Sequence, residues 1–117
     1  MFFIIAGKPQ PKQRPRFYRG RCYTPAATRE YEKLVAATAT ASGVKIIETG
    51  PVEFRLSVFM PNARRVDLDN IIKSVTDALN GICYTDDHQI VAITAWKAID
   101  RENPRAEVAI VPWATAN

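Results

Sequence analysis

Between residues 52 and 79 the spacing of apolar side chains changes period, and that change constrains the fold more than any other feature of the chain. Val52, Phe54, Leu56 and Val58 alternate with Glu53, Arg55 and Ser57. That is the two-residue period of a strand with one buried face. Pro61 and Asn62 stop the run. Leu68, Ile71, Ile72, Val75, Ala78 and Leu79 then recur at three and four. This spacing predicts an amphipathic helix over about 68–80, with Gly81 as its cap. A strand followed by a helix that must hide one face calls for helices laid on a sheet.

The remaining elements follow from the same rules. Phe2 to Ala6 reads as a first strand ending at Gly7. Thr24 and Pro25 suit an N-cap and first helical position, and Tyr31, Leu34, Val35 and Thr38 keep helical spacing up to a stop at Gly43, giving a helix over about 25–42. Residues 44–50 connect it to the strand from Val52. Tyr84 to Asp87 is a turn, Ile90 to Ile99 a long β-branched strand, Asp100 to Pro104 a second turn, and Ala106 to Val111 a last strand stopped by Pro112. The predicted order is β-α-β-α-β-β: an α+β domain with two helices on a mixed sheet of about four strands. With 117 residues, 47% of them apolar, one domain over 1–117 is expected. No apolar run approaches the roughly 18 residues of a membrane span. Met1 to Ala6 lacks the charged leader and long apolar stretch of a secretion signal, so a cytoplasmic protein is expected, with no membrane contact. Cys22 and Cys83 lie far apart without metal-ligand spacing and are expected as free thiols.

The net charge of +4 is distributed unevenly. Residues 8–21 read KPQPKQRPRFYRGR and hold six cations, Lys8, Lys12, Arg14, Arg16, Arg19 and Arg21, with no acid. The other residues are net acidic, so the basic excess is wholly local and reads as a footprint for a polyanion. Pro9, Pro11 and Pro15 withhold backbone donors and helical geometry, predicting an extended, mobile arm over about 8–22. Its cations alternate with Phe17, Tyr18 and Tyr23. Cations hold phosphates and aromatic rings stack on exposed bases.

Acidic residues collect in two places. Asp67 stands where the second helix begins. Asp69 lies on the face opposite the apolar stripe together with Lys73, Thr76 and Asn80, and Asp69 and Lys73 are neighbours on the helix surface. Asp86 and Asp87 precede the long strand. Two carboxylates brought to 4 Å repel by about 4 kcal/mol at an effective dielectric near 20, so these groups either stay apart or are joined by a cation. Hard divalent cations take such oxygen ligands and stabilise phosphoryl transition states. The same residues also suit purely structural work: Asp67 as an N-cap, Asp69 complementing the helix dipole, Asp86 and Asp87 as turn residues. A calcium loop counted from Asp67 fails, because it would need Gly and Glu where Ile72 and Ala78 stand. His88, the only histidine, reads as a turn residue, and zinc sites needing several histidines are excluded. No Gly-rich phosphate loop is present.

The segment Arg64 to Lys73, followed by Asp77-Ala78-Leu79 and by Tyr84 ahead of Asp86-Asp87, resembles the RusA family of Holliday junction resolvases, commonly carried by prophages. Within the motif the chain reads Asp67-Leu68-Asp69-Asn70-Ile71-Ile72-Lys73. The specific match covers about residues 58–91. The resemblance implies that Asp67, Asp69 and Asp87 hold magnesium, with manganese as a substitute, and that Lys73 is the essential lysine. It also implies a homodimer whose two sites nick symmetric strands of a four-way DNA junction. Val66 stands where some members carry a third arginine, and the arm differs from that of some members, so contacts carried there do not transfer. Arg64 and Arg65 add charge beside the aspartates, where a scissile phosphate would lie. The helix separates Asp67 and Asp69 from Asp87. Residues 81–87 can span at most about 25 Å, just enough to return along the helix, and the expectation is that Asp87 joins Asp69 within one chain rather than across a dimer. Two other functions fit the residues: a non-catalytic module that binds branched DNA, and an endonuclease for other branched DNA.

Overall fold

A computed structural model of the chain describes residues 1–114, so the last three residues of the single domain expected over 1–117 lie outside the described residues. In chain order the elements are β1 (Phe2–Ala6), β2 (Arg16–Tyr18), β3 (Arg21–Tyr23), α1 (Ala26–Ala41), β4 (Val52–Met60), α2 (Leu68–Ala78), a single 3-10 turn (Asp87–Gln89), β5 (Ile90–Ile99) and β6 (Arg105–Pro112). Four strands form one mixed sheet in the order β1-β6-β4-β5, with β4 antiparallel to β6 and parallel to β5. The α+β class, the two helices and the four-stranded sheet agree with the expectation from periodicity. Among the described residues no helix is long and apolar enough to cross a membrane.

The core lies between the sheet and the helices. Val52, Phe54, Leu56, Val58 and Met60 point one way from β4 and are all buried. They meet Phe3 and Ile5 of β1, Ala106, Val108 and Ile110 of β6, and the helix residues Tyr31, Val35, Ile71, Val75 and Leu79. Joining two parallel strands requires a crossover, and α2 supplies it. Its direction is fixed at both ends. The Lys97 ammonium, near the end of β5, donates to the Val66 carbonyl at 2.6 Å, just before α2 begins. Asn80, just after α2, donates to Asp87 just before β5. The helix therefore runs antiparallel to β5.

Four details correct the reading from sequence. The N-cap of α1 is Pro25 rather than Thr24, and no side chain caps that end. Helix α2 stops at Ala78, two residues earlier than expected, with Leu79 as C-cap and Gly81 at φ 78° just beyond. Thr76 is buried rather than on the open face, and the buried Tyr84 hydroxyl donates to its carbonyl at 2.6 Å.

The fourth concerns the segment expected as an extended arm. Residues 16–23 form a hairpin, closed by Arg19 (φ 50°) and Gly20 (φ 75°). Positive φ at both central residues is the type I′ geometry whose twist suits a two-residue hairpin. The stretch before it is tied across α2. The Lys12 amide donates to the Asn70 carbonyl at 2.8 Å, and the Ser74 hydroxyl donates to the Gln10 carbonyl at 2.8 Å. The Gln13 amide donates to the Thr28 hydroxyl of α1 at 3.0 Å. Prolines deny this stretch a regular ladder, and side chains and carbonyls of the two helices meet its backbone instead.

Candidate nuclease site and nucleic-acid interface

The site is built on the two ends of α2. Asp67 is its N-cap residue, yet the carboxylate makes no capping bond to the helix backbone; its partner is the Asn70 side-chain amide at 3.5 Å, at the limit of a hydrogen bond. Asp69 lies exposed in the first turn, and among the described residues its carboxylate joins no ion pair or hydrogen bond. Its negative charge is favoured there by the helix dipole. Lys73 follows one turn later, also exposed and without an ion pair among the described residues. So the helix start presents two carboxylates and an ammonium that the fold itself does not consume.

Asp87 is held at the other end. Tyr84 is fully buried; its hydroxyl satisfies the Thr76 carbonyl, and its own carbonyl accepts from the Gly81 amide at 2.7 Å. This pins residues 80–84 onto the end of α2. Asp86 then caps the 3-10 turn: its side chain accepts from the His88 amide at 3.0 Å and faces the His88 imidazole at 2.6 Å, while the Gln89 side chain returns to the Asp86 amide. His88 is thus an exposed turn residue, as expected. Hydrogen bonds from His88 hold the Asp86 carboxyl below its ordinary pKa. Asp87 is neighboured by Asn80 at 3.5 Å and by Asp77. Partial burial, with the Asp77 carboxyl beside it, pushes Asp87 above the usual carboxylate range.

Asp67, Asp69 and Lys73 all stand exposed at the start of α2, whereas Asp87 lies beside Asp77 at the other end of the same helix. Asp69 and Asp77 are eight residues apart on α2, about 12 Å along the axis, and Asp87 sits with Asp77. The expected return of the 81–87 loop along the helix does not occur, because Tyr84 anchors the loop where the helix ends. Among the described residues no group of three or more Asp, Glu, His or Cys side chains is gathered closely enough to hold a metal ion. The chemistry of the donors does suit a hard cation: exposed carboxylates left without cationic partners at Asp67 and Asp69.

The cations lie in several places. Arg16, Arg19 and Arg21 are exposed on the hairpin, where Arg16, Tyr18, Arg21 and Tyr23 share one face and Phe17 and Cys22 the other. The Arg19 guanidinium stacks on the Tyr18 ring, 5.4 Å from its centroid. Arg64 and Arg65 are exposed in the approach to α2, and Lys8 is exposed at the start of the arm. Arg14 lines a cleft of about 220 Å³ with Lys12, Gln13, Pro15, Asn70 and Lys73. Lys12 is occupied differently from the phosphate contact expected of it. Its ammonium bridges Asp77 of α2 at 2.6 Å and Glu32 of α1 at 3.1 Å. Burial pulls its pKa down, but the two carboxylates outweigh that and leave it raised. Sequence reasoning gave Asp77 and Glu32 no role. Asp77 lies one and two turns from Ser74 and Asn70 on the same helix face, and that spacing was the available signal.

The family model described as endodeoxyribonuclease RusA matches residues 6–111. The crossover junction endodeoxyribonuclease RusA of enterobacteria phage 82 is 34% identical over an alignment covering 87% of this chain and 88% of that protein. The protein of the same name from Escherichia coli K12 is 33% identical with the same coverage. YqaN of Bacillus subtilis, an uncharacterized protein, is 31% identical, with 92% and 93% covered.

Proposed function

The chain belongs to the RusA family of crossover junction endodeoxyribonucleases, and from that premise we propose that it resolves four-way DNA junctions in the cytoplasm, as a homodimer, by paired symmetric nicks that require magnesium. One observation carries the reading. The anchored arm opens its cationic, aromatic hairpin beside the same cleft that Lys73 and Asn70 line, so DNA gripped by the hairpin passes the free carboxylates at the start of α2.

The residues divide the work by chemistry. Arg14, Arg16, Arg19, Arg21, Arg64, Arg65 and Lys8 offer phosphate contacts, and Phe17, Tyr18 and Tyr23 offer rings to unstacked bases, which a branch point exposes. Asp67 and Asp69 would hold the cation, with manganese as a substitute; Asp87, the third ligand that the resemblance implies, stands at the other end of α2 in the same chain. Such a cation supplies Lewis acidity to a phosphate oxygen and acidifies water. In the hydrolysis a water oxygen bonds to phosphorus, the bridging P–O bond breaks, and the departing oxygen takes up a proton. Lys73, one turn from Asp69, is placed to balance charge on the phosphate or the departing oxygen.

Synthetic four-way junction and linear duplex, each incubated with magnesium and then with EDTA, test the proposal. Paired nicks in the junction alone, stopped by EDTA, are expected. Asp69→Asn should retain folding by circular dichroism and junction binding by gel shift while losing cutting. Binding without cleavage by the wild type would leave a branched-DNA-binding module, and equal cutting of flaps and junctions would leave a broader nuclease.

A further inference from the structure

The path of the arm delivers one cation to a defined place. Its backbone is held just before Arg14 by the Ser74 hydroxyl on the Gln10 carbonyl, the Lys12 amide on the Asn70 carbonyl and the Gln13 amide on the Thr28 hydroxyl. Pro15 follows, with its own φ fixed, and keeps Arg14 out of helical backbone. Arg14 is therefore the first cation beyond the anchors, and it precedes the hairpin that begins at Arg16. It lines one wall of the cleft of about 220 Å³ whose other wall is α2, with Asn70 and Lys73.

The lining of this cleft is one-sided in charge. Arg14 and Lys73 are both cations, and among the described residues neither side chain makes an ion pair or a hydrogen bond. Gln13 uses its side-chain oxygen on the Thr28 hydroxyl at 3.5 Å, which leaves its NH2 group as a donor. The Lys12 ammonium is turned to Asp77 and Glu32, so those carboxylates do not neutralise Arg14 or Lys73. Among the described residues no carboxylate lines the cleft. Two cations on facing walls repel each other, and an anion between them relieves that repulsion. Donors without acceptors are what a phosphate needs, and a guanidinium can meet two of its oxygens at once. The cleft also adjoins the carboxylates at the start of α2: the Asn70 amide reaches Asp67 at 3.5 Å, and Asp69 lies one turn before Lys73.

We propose that this cleft seats the scissile phosphodiester and that Arg14 is a catalytic residue, clamping the non-bridging oxygens from the arm while Lys73 meets them from α2. This assignment rests on the nuclease reading for the reaction. It gives Arg14 a task different from that of Arg16, Arg19 and Arg21, which hold phosphates away from the cut. Arg14 forms no covalent bond and moves no proton, because a guanidinium stays charged throughout. Its contribution grows as the water oxygen closes on phosphorus and charge builds on the phosphoryl oxygens. The anchors at Gln10, Lys12 and Gln13 set its place beforehand, so little reorganisation is needed when the reaction begins.

A methylphosphonate, which removes the charge of one phosphate, locates the contact without metal or cleavage. In EDTA it is placed in turn at each phosphate near the branch of a synthetic four-way junction, and binding is measured for wild type and Arg14→Ala. At the phosphate that wild type cuts, the neutral group should weaken wild-type binding about tenfold, the worth of one charge-assisted contact, and leave Arg14→Ala binding unchanged. Equal losses for both proteins at that phosphate would overturn the seat. With magnesium and saturating protein in a single turnover, Arg14→Ala should cut the unmodified junction at least about 100-fold more slowly than wild type. Arg14→Lys should recover part of that loss. A wild-type rate for saturated Arg14→Ala would overturn the catalytic role and leave Arg14 an ordinary phosphate contact. A wild type that never cuts would overturn the nuclease reading instead. The scan in EDTA would then judge the seat alone, and finding no phosphate whose charge is sensed through Arg14 would overturn it.

Discussion

At the scale of single residues, the site depends on side chains whose work is done before any DNA arrives. Tyr84 is the clearest. Its hydroxyl is buried and meets the Thr76 carbonyl, so Tyr84→Phe strands a buried acceptor, which costs about 1–3 kcal/mol. The expected result is a lower midpoint in urea with the slope unchanged. Tyr31 is the converse case: its hydroxyl is buried without a hydrogen-bond partner among the described residues. Tyr31→Phe should leave stability unchanged or raise it by about 1 kcal/mol, read by the same unfolding curve. Asp100 sets a pH dependence. The Arg105 guanidinium at 2.9 Å and the Asn103 amide hold its carboxyl below the ordinary value. A depressed carboxylate contributes stability that is present above its unfolded pKa of about 3.9 and lost as pH falls through the folded value. Asp100→Asn should therefore lower the melting temperature at neutral pH, with the gap to wild type closing below about pH 4; a gap that stays constant would remove Asp100 from the account.

At the scale of elements, the arm is a strap rather than a tail. Lys12 joins it to both helices through Asp77 and Glu32. Lys12→Met should weaken junction binding by loosening the seat of the hairpin, while leaving the salt slope of binding close to wild type. A fall in that slope by about one would return Lys12 to the phosphate contacts. Apolar spacing made β4 and α2 legible to within a residue or two, because each buries one face along its length; β1, β5 and β6 were legible as apolar or β-branched runs bounded by turn residues. The hairpin was not legible that way. All six of its strand residues are exposed, so no alternation marks it, and the prolines upstream dominated the reading; the Arg19-Gly20 turn was the signal available. The motif at 67–73 located two carboxylates and a lysine that all lie exposed at the start of α2. The place of Asp87 was not legible, because it depends on where Tyr84 is buried. Chain length permits the loop to return, but packing holds it.

At the scale of the whole molecule, charge is separated. The hairpin and the approach to α2 are basic, and the loop before β5 is acidic. Binding of a junction should weaken steeply with salt, since each neutralised phosphate releases counterions; a nearly flat plot of log affinity against log salt would remove the cationic surface from DNA recognition. The two thiols follow the same geography. Cys83 is fully buried, and burial pushes its thiol up to about 11, whereas Cys22 is exposed on the hairpin. Cys22 is therefore a lone accessible attachment point for a maleimide dye on the hairpin proposed to grip the substrate. Fluorescence from a label there would report engagement and release in real time on a chain with no altered residue.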